Sequence, residues 1–224
     1  MVTQANIPRS AMPSVIAMVL VCGAILFGAA GRLDIIEFWF WLAELTALCV
    51  ATILLIEPDL VRERMRPGGQ RPTFGYWLST LLFAVDLVVA GLDRGRLHWS
   101  DSVPVWLRVV ALLLFGLGWA PVIWAMRVNR FFSSAVRIQF DRGQHVISEG
   151  PYRYMRHPGY TAAVLVILAN GVALGSWLAA TISWFGIPIL LWRTIKEDRM
   201  LHAELPGYSE YAERVKSRLL PGIW

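Results

Sequence analysis

Long apolar stretches dominate the chain, and most are long enough to cross a bilayer as a helix. A membrane helix needs about 20 apolar residues. Four stretches meet that length: Pro13 to Gly31, Phe38 to Ile56, Phe74 to Leu92 and Val103 to Met126. A fifth stretch, Gly159 to Trp192, runs for 34 residues without a charge, which is too long for one span. Gly175-Ser176 near its middle is typical of a turn, so we predict a helical hairpin there.

The hairpin completes an all-α, polytopic, integral membrane helical bundle of about six transmembrane segments. Each arm would have about 16 residues, or roughly 24 Å at 1.5 Å per residue, which leaves open whether the hairpin crosses fully. Composition agrees with this fold class, because 56% of the residues are hydrophobic and only 17% are charged. Soluble domains carry about 25% charged residues. The eleven Trp residues suit membrane interfaces, and Cys22 and Cys49 are expected to be free thiols in apolar surroundings.

Basic residues outnumber acidic residues by 21 to 16, and their distribution predicts an orientation. With the amino terminus inside, 17 Lys and Arg residues lie on the inner side, among them the run from Arg62 to Arg71. The outer side holds four: Arg32, Arg94, Arg96 and Arg108. The positive-inside rule therefore predicts cytoplasmic termini. The first span could alternatively be a signal peptide. We expect lipid head groups and anionic substrates as partners, and no nucleic acid.

Polar residues inside the spans are candidates for function, since burying them in lipid is costly. Glu44 and Asp86 are the two carboxyls, and for each the alternative is a hydrogen-bonded contact between helices. For Asn170 we expect such an interhelical hydrogen bond. Pro121 and Pro188 are expected to kink their helices.

The segment from Gln144 to Tyr160, QHVISEGPYRYMRHPGY, is polar, aromatic and rich in Gly and Pro. After the hairpin, Arg193, Glu197 and Leu201 follow at intervals of four, which places them on one face of a helix. The alternative for that face is an exposed ion pair with little effect on stability. Motifs for zinc proteases, P-loops, redox cysteine pairs and serine hydrolases do not occur, and we expect no metal.

The RHPGY motif at 156–160, the GPY before it and the acidic pair Glu197-Asp198 after it resemble the isoprenylcysteine carboxyl methyltransferase family. The ending PGYSEYAERVKSRLLPGIW is similar to bacterial members of that group. The resemblance is strong over residues 127–224, which it identifies as the catalytic region after the helices of residues 1–126. It implies an integral membrane enzyme with a cytoplasmic pocket for S-adenosyl-L-methionine. The acceptor it implies is a lipid-like or prenylated small molecule that enters from the bilayer.

The resemblance also assigns residues. Arg193 is implied to bind the substrate, and Arg193 and Glu197 are its candidate catalytic residues, although no proton acceptor is assigned. Asp198 and Ala162 depart from the family pattern, which usually has Glu and Gly there. The residues implied to bind the cofactor are Gln144, His145, Val146, Ile147, Tyr152, His157, Pro158, Gly159, Tyr160 and Glu197.

Several activities stay open. Arg193 favours a carboxylate acceptor, since an ionised carboxylate needs a cation and no base, but an arginine also suits a lipid phosphate. The first expectation is carboxyl methylation of a prenylcysteine-type acceptor, with phospholipid N-methylation and thiol S-methylation as alternatives. Membrane sterol and steroid reductases that use NADPH have a similar Arg-His-Pro element and are a more distant alternative. A lipid-binding or partner-docking protein without enzymatic activity is a further one.

Overall fold

The computed structural model describes residues 8–69 and 74–224, which are helical and contain no β-strand. Arg71, counted above on the inner side, lies outside these ranges. Short helical turns, including Gly150–Arg153, connect the longer helices. The α-helices in chain order are α1 (Ala11–Ala30), α2 (Ile36–Leu55), α3 (Pro58–Met65), α4 (Phe74–Leu92), α5 (Val105–Val128), α6 (Pro158–Ala173), α7 (Trp177–Trp184), α8 (Gly186–Glu204) and α9 (Tyr208–Arg214).

Five helical segments of the described chain are long and apolar enough to cross a membrane, which confirms the predicted polytopic bundle. Helices α1, α2, α4 and α5 begin and end within two residues of the predicted spans. The fifth segment, Trp177–Glu204, comprises α7 and α8. Helix α6 has 16 residues and is therefore about 24 Å long, somewhat less than the hydrocarbon thickness.

The bundle core forms where α5 packs closely on α6 and α2 packs on α5. Gly118 permits the α5–α6 approach, because a Cβ atom there would lie 2.9 Å from Cγ2 of Val166. The wholly buried Trp41 of α2 lies with its ring centroid 5.8 Å from that of Phe115 in α5. Pro121 lies inside α5, which continues through it. The outward faces of the spans are apolar and exposed in the chain alone, as a lipid-facing surface requires.

Polar groups inside the bundle bind one another across helices. The side-chain amide of Asn170 donates to Asp86 Oδ2 at 2.7 Å, and Ser183 Oγ donates to Asp86 Oδ1 at 2.8 Å. Trp41 Nε1 donates to Asn170 Oδ1 at 3.1 Å. The interhelical hydrogen bond expected for Asn170 is thus confirmed. Glu44 differs, since its Oε2 atom is buried without a hydrogen-bond partner among the described residues.

The predicted hairpin turns where expected. Gly175 has a φ of +78°, which favours glycine, and Ser176 caps α7. Ser176 Oγ also donates to Asp93 Oδ2 at 2.5 Å, which attaches the turn to the end of α4. The second arm is interrupted at Phe185, between α7 and α8. Pro188 has no N–H for the carbonyl four residues earlier, so the predicted kink coincides with this break.

Candidate active site

A cleft of about 740 Å³, including its open mouth, lies at one end of the bundle. The segment between α5 and α6 forms one wall, and the second half of α8 with α9 forms the other. The RHPGY motif enters α6 between these walls, with Pro158 in the first helical turn, where its missing N–H has no cost. The N–H groups of Arg156 and His157 donate to the carbonyls of Ser217 and Arg218 at 3.0 and 2.9 Å. The carboxyl-terminal segment therefore holds the motif in place.

The structure brings nine of the ten residues predicted to bind the cofactor together along this cleft. Pro158 is the exception, since it is buried in the first turn of α6 and does not line the cleft. Arg193, predicted to bind the substrate, also lies outside the cleft lining. The predicted residues that line the cleft are Gln144, His145, Val146, Ile147, Tyr152, His157, Gly159, Tyr160 and Glu197.

Tyr160 connects Glu197 with Arg193. Its hydroxyl donates to Glu197 Oε2 at 2.5 Å and accepts a hydrogen bond from Arg193 Nε at 2.8 Å. The Arg193 guanidinium also lies over the Tyr160 ring, 5.7 Å from its centroid, and donates to the carbonyl of Ser134 at 2.6 Å. Arg193 and Glu197 share a helix face as predicted, but Tyr160 stands between them and they form no direct ion pair. This is not the exposed pair that the spacing alone allowed.

The two acidic residues of α8 face different surroundings. Glu197 lines the cleft, whereas Asp198 is 2% exposed and accepts hydrogen bonds from four side chains. Arg156 donates to it with two nitrogens, at 2.8 and 3.0 Å, and Arg218 donates at 2.9 Å. The other two partners are His157 at 3.2 Å and the hydroxyl of Tyr208 at 2.9 Å. Asp198 thus joins α8 to the RHPGY motif, α9 and the carboxyl-terminal segment.

Burial and the negative charge of Asp198 raise the pKa of Tyr208, so the phenol stays protonated and continues to donate. Burial alone would lower the pKa of Arg156, but its hydrogen bonds to Asp198 raise it instead. The cluster is therefore charged throughout the neutral range. Asp198 itself does not line the cleft, but its partners Arg156, His157 and Tyr208 do, so the cluster fixes the position of these lining residues.

Aromatic side chains make up much of the cleft wall. Tyr152 is 5% exposed, and burial raises the pKa of its hydroxyl, which accepts a hydrogen bond from the side chain of Asn129 at 3.1 Å. The hydroxyl of Tyr211 donates to the Tyr152 carbonyl at 2.7 Å. Gly159 lies directly against the ring of Phe132, and a Cβ atom at that position would overlap the ring. Glycine therefore allows the loop to close over the start of α6.

Helix α3 braces the cleft wall from the amino-terminal half of the chain. Glu63, 6% exposed, accepts hydrogen bonds from Arg137 at 2.9 and 3.1 Å and from Ser133 at 2.8 Å. Burial would raise the pKa of Glu63, but these hydrogen bonds hold it below its usual value. Asp59 likewise pairs with Arg130 and Arg142. These ion pairs cross the predicted boundary between residues 1–126 and 127–224.

The arrangement suits a polar ligand with a positive centre. Glu197 lines the cleft together with aromatic side chains, and the two arginines of the lining, Arg137 and Arg156, are paired with Glu63 and Asp198. Aromatic faces and a carboxylate both favour a cation. Among residues 8–69 and 74–224, no group of three or more His, Cys, Asp or Glu side chains is arranged to hold a metal.

Sequence reasoning missed three features of the site. It used Asp198 as part of the acidic pair and noted its departure from the family's Glu, but it gave the side chain no role, although adjacent acids on a helix must point about 100° apart and so meet different partners. It did not assign Tyr208 and Tyr211, both of which line the cleft from the PGYSEY segment. It gave Glu63 no role, and no local pattern indicates that α3 reaches residues about 70 positions later.

Comparison with known proteins finds partial similarity to a methyltransferase family and to several curated proteins. Residues 106–204 match the phospholipid methyltransferase family. The cobalt-zinc-cadmium resistance protein CzcN of Cupriavidus metallidurans is 30% identical over 145 residues, which are 64% of this chain and 62% of that protein. A probable protein-S-isoprenylcysteine O-methyltransferase of Oryza sativa subsp. indica is 30% identical over 97 residues, 41% of this chain and 49% of the relative.

The matched parts thus cover about half to three fifths of these curated relatives. The family match includes α5, α6, α7 and α8, and with them the RHPGY motif and the Glu197-Asp198 pair. The comparisons confirm the resemblance predicted from the motifs: part of this chain is similar to the phospholipid methyltransferase family and to probable protein-S-isoprenylcysteine O-methyltransferases.

Proposed function

We propose that the protein is a membrane methyltransferase that uses S-adenosyl-L-methionine and methylates a lipid-like acceptor. The first candidate reaction is O-methylation of a prenylcysteine-type carboxylate. The observation that carries the proposal is the Tyr160 hydroxyl, which bonds Glu197 inside the cleft and Arg193 beyond it. Tyr160 thus lies between Glu197, whose carboxylate suits a cationic cofactor, and Arg193, whose guanidinium suits an anionic acceptor.

The cleft residues fit the proposed cofactor in chemistry. Glu197 and the rings of Tyr152 and Tyr160 favour a sulfonium, while Gln144 and His145 offer polar groups at the edge. When bound, S-adenosyl-L-methionine supplies an activated methyl group for in-line displacement.

The chain's own residues would bind and orient the reactants. An ionised carboxylate already carries the electron pair that attacks, so Arg193 need only anchor it, and no residue has to remove a proton. Holding two reactants in line can lower a barrier by about 7–11 kcal/mol. The aromatic walls of the cleft would reduce the access of water to the reacting atoms. This division gives Arg193 the acceptor and Glu197 the cofactor.

Phospholipid N-methylation is the second candidate, because the matching family is described as phospholipid methyltransferase. An amine acceptor must lose a proton, and Glu197 would then have to serve both the cofactor and the proton. Thiol methylation and NADPH-dependent reduction are the remaining alternatives, and a separate titration with NADPH tests the second.

We also propose that the cleft faces the cytoplasm and that both termini lie on that side. Two of the four basic residues assigned to the outer side support this orientation. Arg94 and Arg108 lie at the hairpin turn beside Gly175. That turn is at the opposite end of α6 from the RHPGY motif. A polar cofactor made in the cytoplasm would enter there directly, and a lipid-like acceptor would enter from the bilayer.

The experiment compares Arg193→Gln with Glu197→Gln in detergent-purified protein. Transfer of radiolabelled methyl from S-adenosyl-L-methionine to N-acetyl-S-farnesylcysteine is measured beside calorimetric binding of S-adenosylhomocysteine. We expect Arg193→Gln to raise the acceptor KM tenfold or more with cofactor affinity unchanged, and Glu197→Gln to lower cofactor affinity tenfold or more. Arg199→Gln and Glu204→Gln, which change exposed residues of the same helix, are the matched controls. Equal loss of cofactor affinity in both test variants would refute the division of roles.

A further inference from the structure

Two guanidinium groups near the cleft have no carboxylate partner. Arg64 of α3 and Arg193 of α8 hydrogen-bond only to backbone carbonyls and to a tyrosine hydroxyl within the described part of the chain. Their basic neighbours differ, since Arg137 pairs with Glu63 and Arg156 pairs with Asp198. Neither guanidinium therefore forms a direct ion pair with a described carboxylate, and Glu197 reaches Arg193 through the Tyr160 hydroxyl.

The two arginines meet at adjacent aromatic rings. The Arg64 guanidinium lies 5.5 Å from the ring centroid of Phe132, and the Arg193 guanidinium lies 5.7 Å from that of Tyr160. The two ring centroids are 6.5 Å apart. Ser134 contacts both arginines. Its hydroxyl donates to the backbone carbonyl of Arg64 at 3.1 Å, and its own carbonyl accepts a hydrogen bond from the Arg193 guanidinium at 2.6 Å.

Placing two such cations together is unfavourable unless an anion joins them. Burial and repulsion from Arg193 lower the pKa of Arg64, so both groups are close enough to affect each other electrostatically. A carboxylate or phosphate between two guanidinium groups would form charge-assisted hydrogen bonds with both and remove the repulsion.

The pair lies outside the cofactor cleft. Phe132 and Tyr160 line the cofactor cleft, but neither Arg64 nor Arg193 does. Trp192, next to Arg193 on the membrane-spanning segment, is 58% exposed and apolar, as a lipid-facing position requires. An amphiphile with its tail in the bilayer could thus bring an anionic head group to the arginines beside the cleft.

We propose that Arg64 and Arg193 together form a binding site for the anionic head group of the acceptor. The site takes a carboxylate or a phosphate on an apolar chain, and it discriminates against neutral thiols and simple amines. This inference rests on the proposed methyltransferase function. It adds to that function a residue from α3, outside the part of the chain that matches the family.

Calorimetry with three amphiphiles of equal chain length tests the proposal. Dodecanoate, dodecyl phosphate and dodecanol are titrated into protein saturated with S-adenosylhomocysteine in a nonionic detergent. We expect the two anions to bind at least tenfold more tightly than dodecanol. Arg64→Gln should reduce this ratio of affinities at least tenfold. The ratio between the anions separates a carboxylate acceptor from a phosphate acceptor, and competition by inorganic phosphate shows whether the free anion suffices.

Arg66→Gln is the matched control, since it removes the same charge from an exposed residue at the end of α3. This control corrects for the non-specific electrostatic attraction between anionic amphiphiles in micelles and a basic protein. Equal anion binding by Arg64→Gln and Arg66→Gln would overturn the proposal, as would equal binding of dodecanoate and dodecanol by the wild type. Arg64→Lys keeps the charge, and we expect it to retain part of the preference; complete loss in this variant would also contradict the site.

Binding of S-adenosylhomocysteine is measured on each variant in the same series. Unchanged cofactor affinity in Arg64→Gln with reduced anion preference supports the assigned role. A wild-type protein that prefers anions but does not bind S-adenosylhomocysteine would refute the proposed methyltransferase function and leave the anion site standing. Failure of the two proposals is thus distinguishable.

Discussion

Replacing Asp198 with Asn should destabilise the protein more than any other single removal of a charge near the cleft. The carboxylate is 2% exposed and accepts two hydrogen bonds from Arg156 and one from Arg218. Removing one partner of a buried ion pair costs about 3–5 kcal/mol, because the remaining charge stays buried and uncompensated. At about 2–4 °C per kcal/mol for a chain of this size, Tm should fall by roughly 6–20 °C.

Thermal unfolding of the detergent-purified protein measures this, with Asp141→Asn as the matched control. Asp141 also pairs with an arginine, at 2.7 Å, but its side chain is 58% exposed. Exposed ion pairs contribute about 0–1 kcal/mol, so the control should lose at most about 4 °C. Affinity for S-adenosylhomocysteine should fall in Asp198→Asn but not in the control, since the buried cluster positions the RHPGY motif.

A drop in Tm for Asp198→Asn that is no larger than that of Asp141→Asn would refute this reasoning. The cluster would then hold its shape without the charge, and the four hydrogen bonds from its neighbours would not determine where the motif lies. A large drop in Tm with unchanged cofactor affinity would confirm the energetics but contradict the positioning role.

Two other variants test how the cleft wall is held. Gly159→Ala should lower cofactor affinity and cost about 1–3 kcal/mol in unfolding free energy, since the added methyl overlaps the Phe132 ring. If calorimetry showed that this variant binds the cofactor as tightly as the wild type does, the importance of the close contact would be contradicted. Glu63 has a lowered pKa in the folded protein, so its contribution is present above its unfolded pKa and is lost as pH falls through the folded pKa. Glu63→Gln should therefore be less stable than the wild type at neutral pH, and the difference should shrink in acid; a pH-independent difference in Tm would contradict this.

The membrane spans were predictable because lipid imposes a simple rule on the sequence. Each span must be apolar over a length set by the bilayer, and helices α1, α2, α4 and α5 follow that rule to within two residues. The hairpin turn was predictable from Gly175-Ser176, which combine a left-handed conformation with a helix cap. The break at Phe185 was less apparent, since only Pro188 within an uninterrupted apolar run indicates it.

The candidate site was only partly predictable, because its contacts are distant in sequence. Helical spacing placed Arg193 and Glu197 on one face, but it could not show that Tyr160, 33 positions from Arg193, would stand between them. The partners of Asp198 lie up to 42 positions away, and those of Glu63 up to 74. Such pairs depend on how helices pack, which periodicity does not contain.

Calorimetric binding of S-adenosylhomocysteine and, separately, of NADPH to the purified protein distinguishes a methyltransferase from a reductase. We expect micromolar binding of S-adenosylhomocysteine that Tyr160→Ala and Glu197→Ala abolish. Tyr154→Ala, which changes an exposed tyrosine beside the same motif, should bind as the wild type does. Binding of NADPH without S-adenosylhomocysteine would refute the methyltransferase function and indicate a reductase built on the same Arg-His-Pro element.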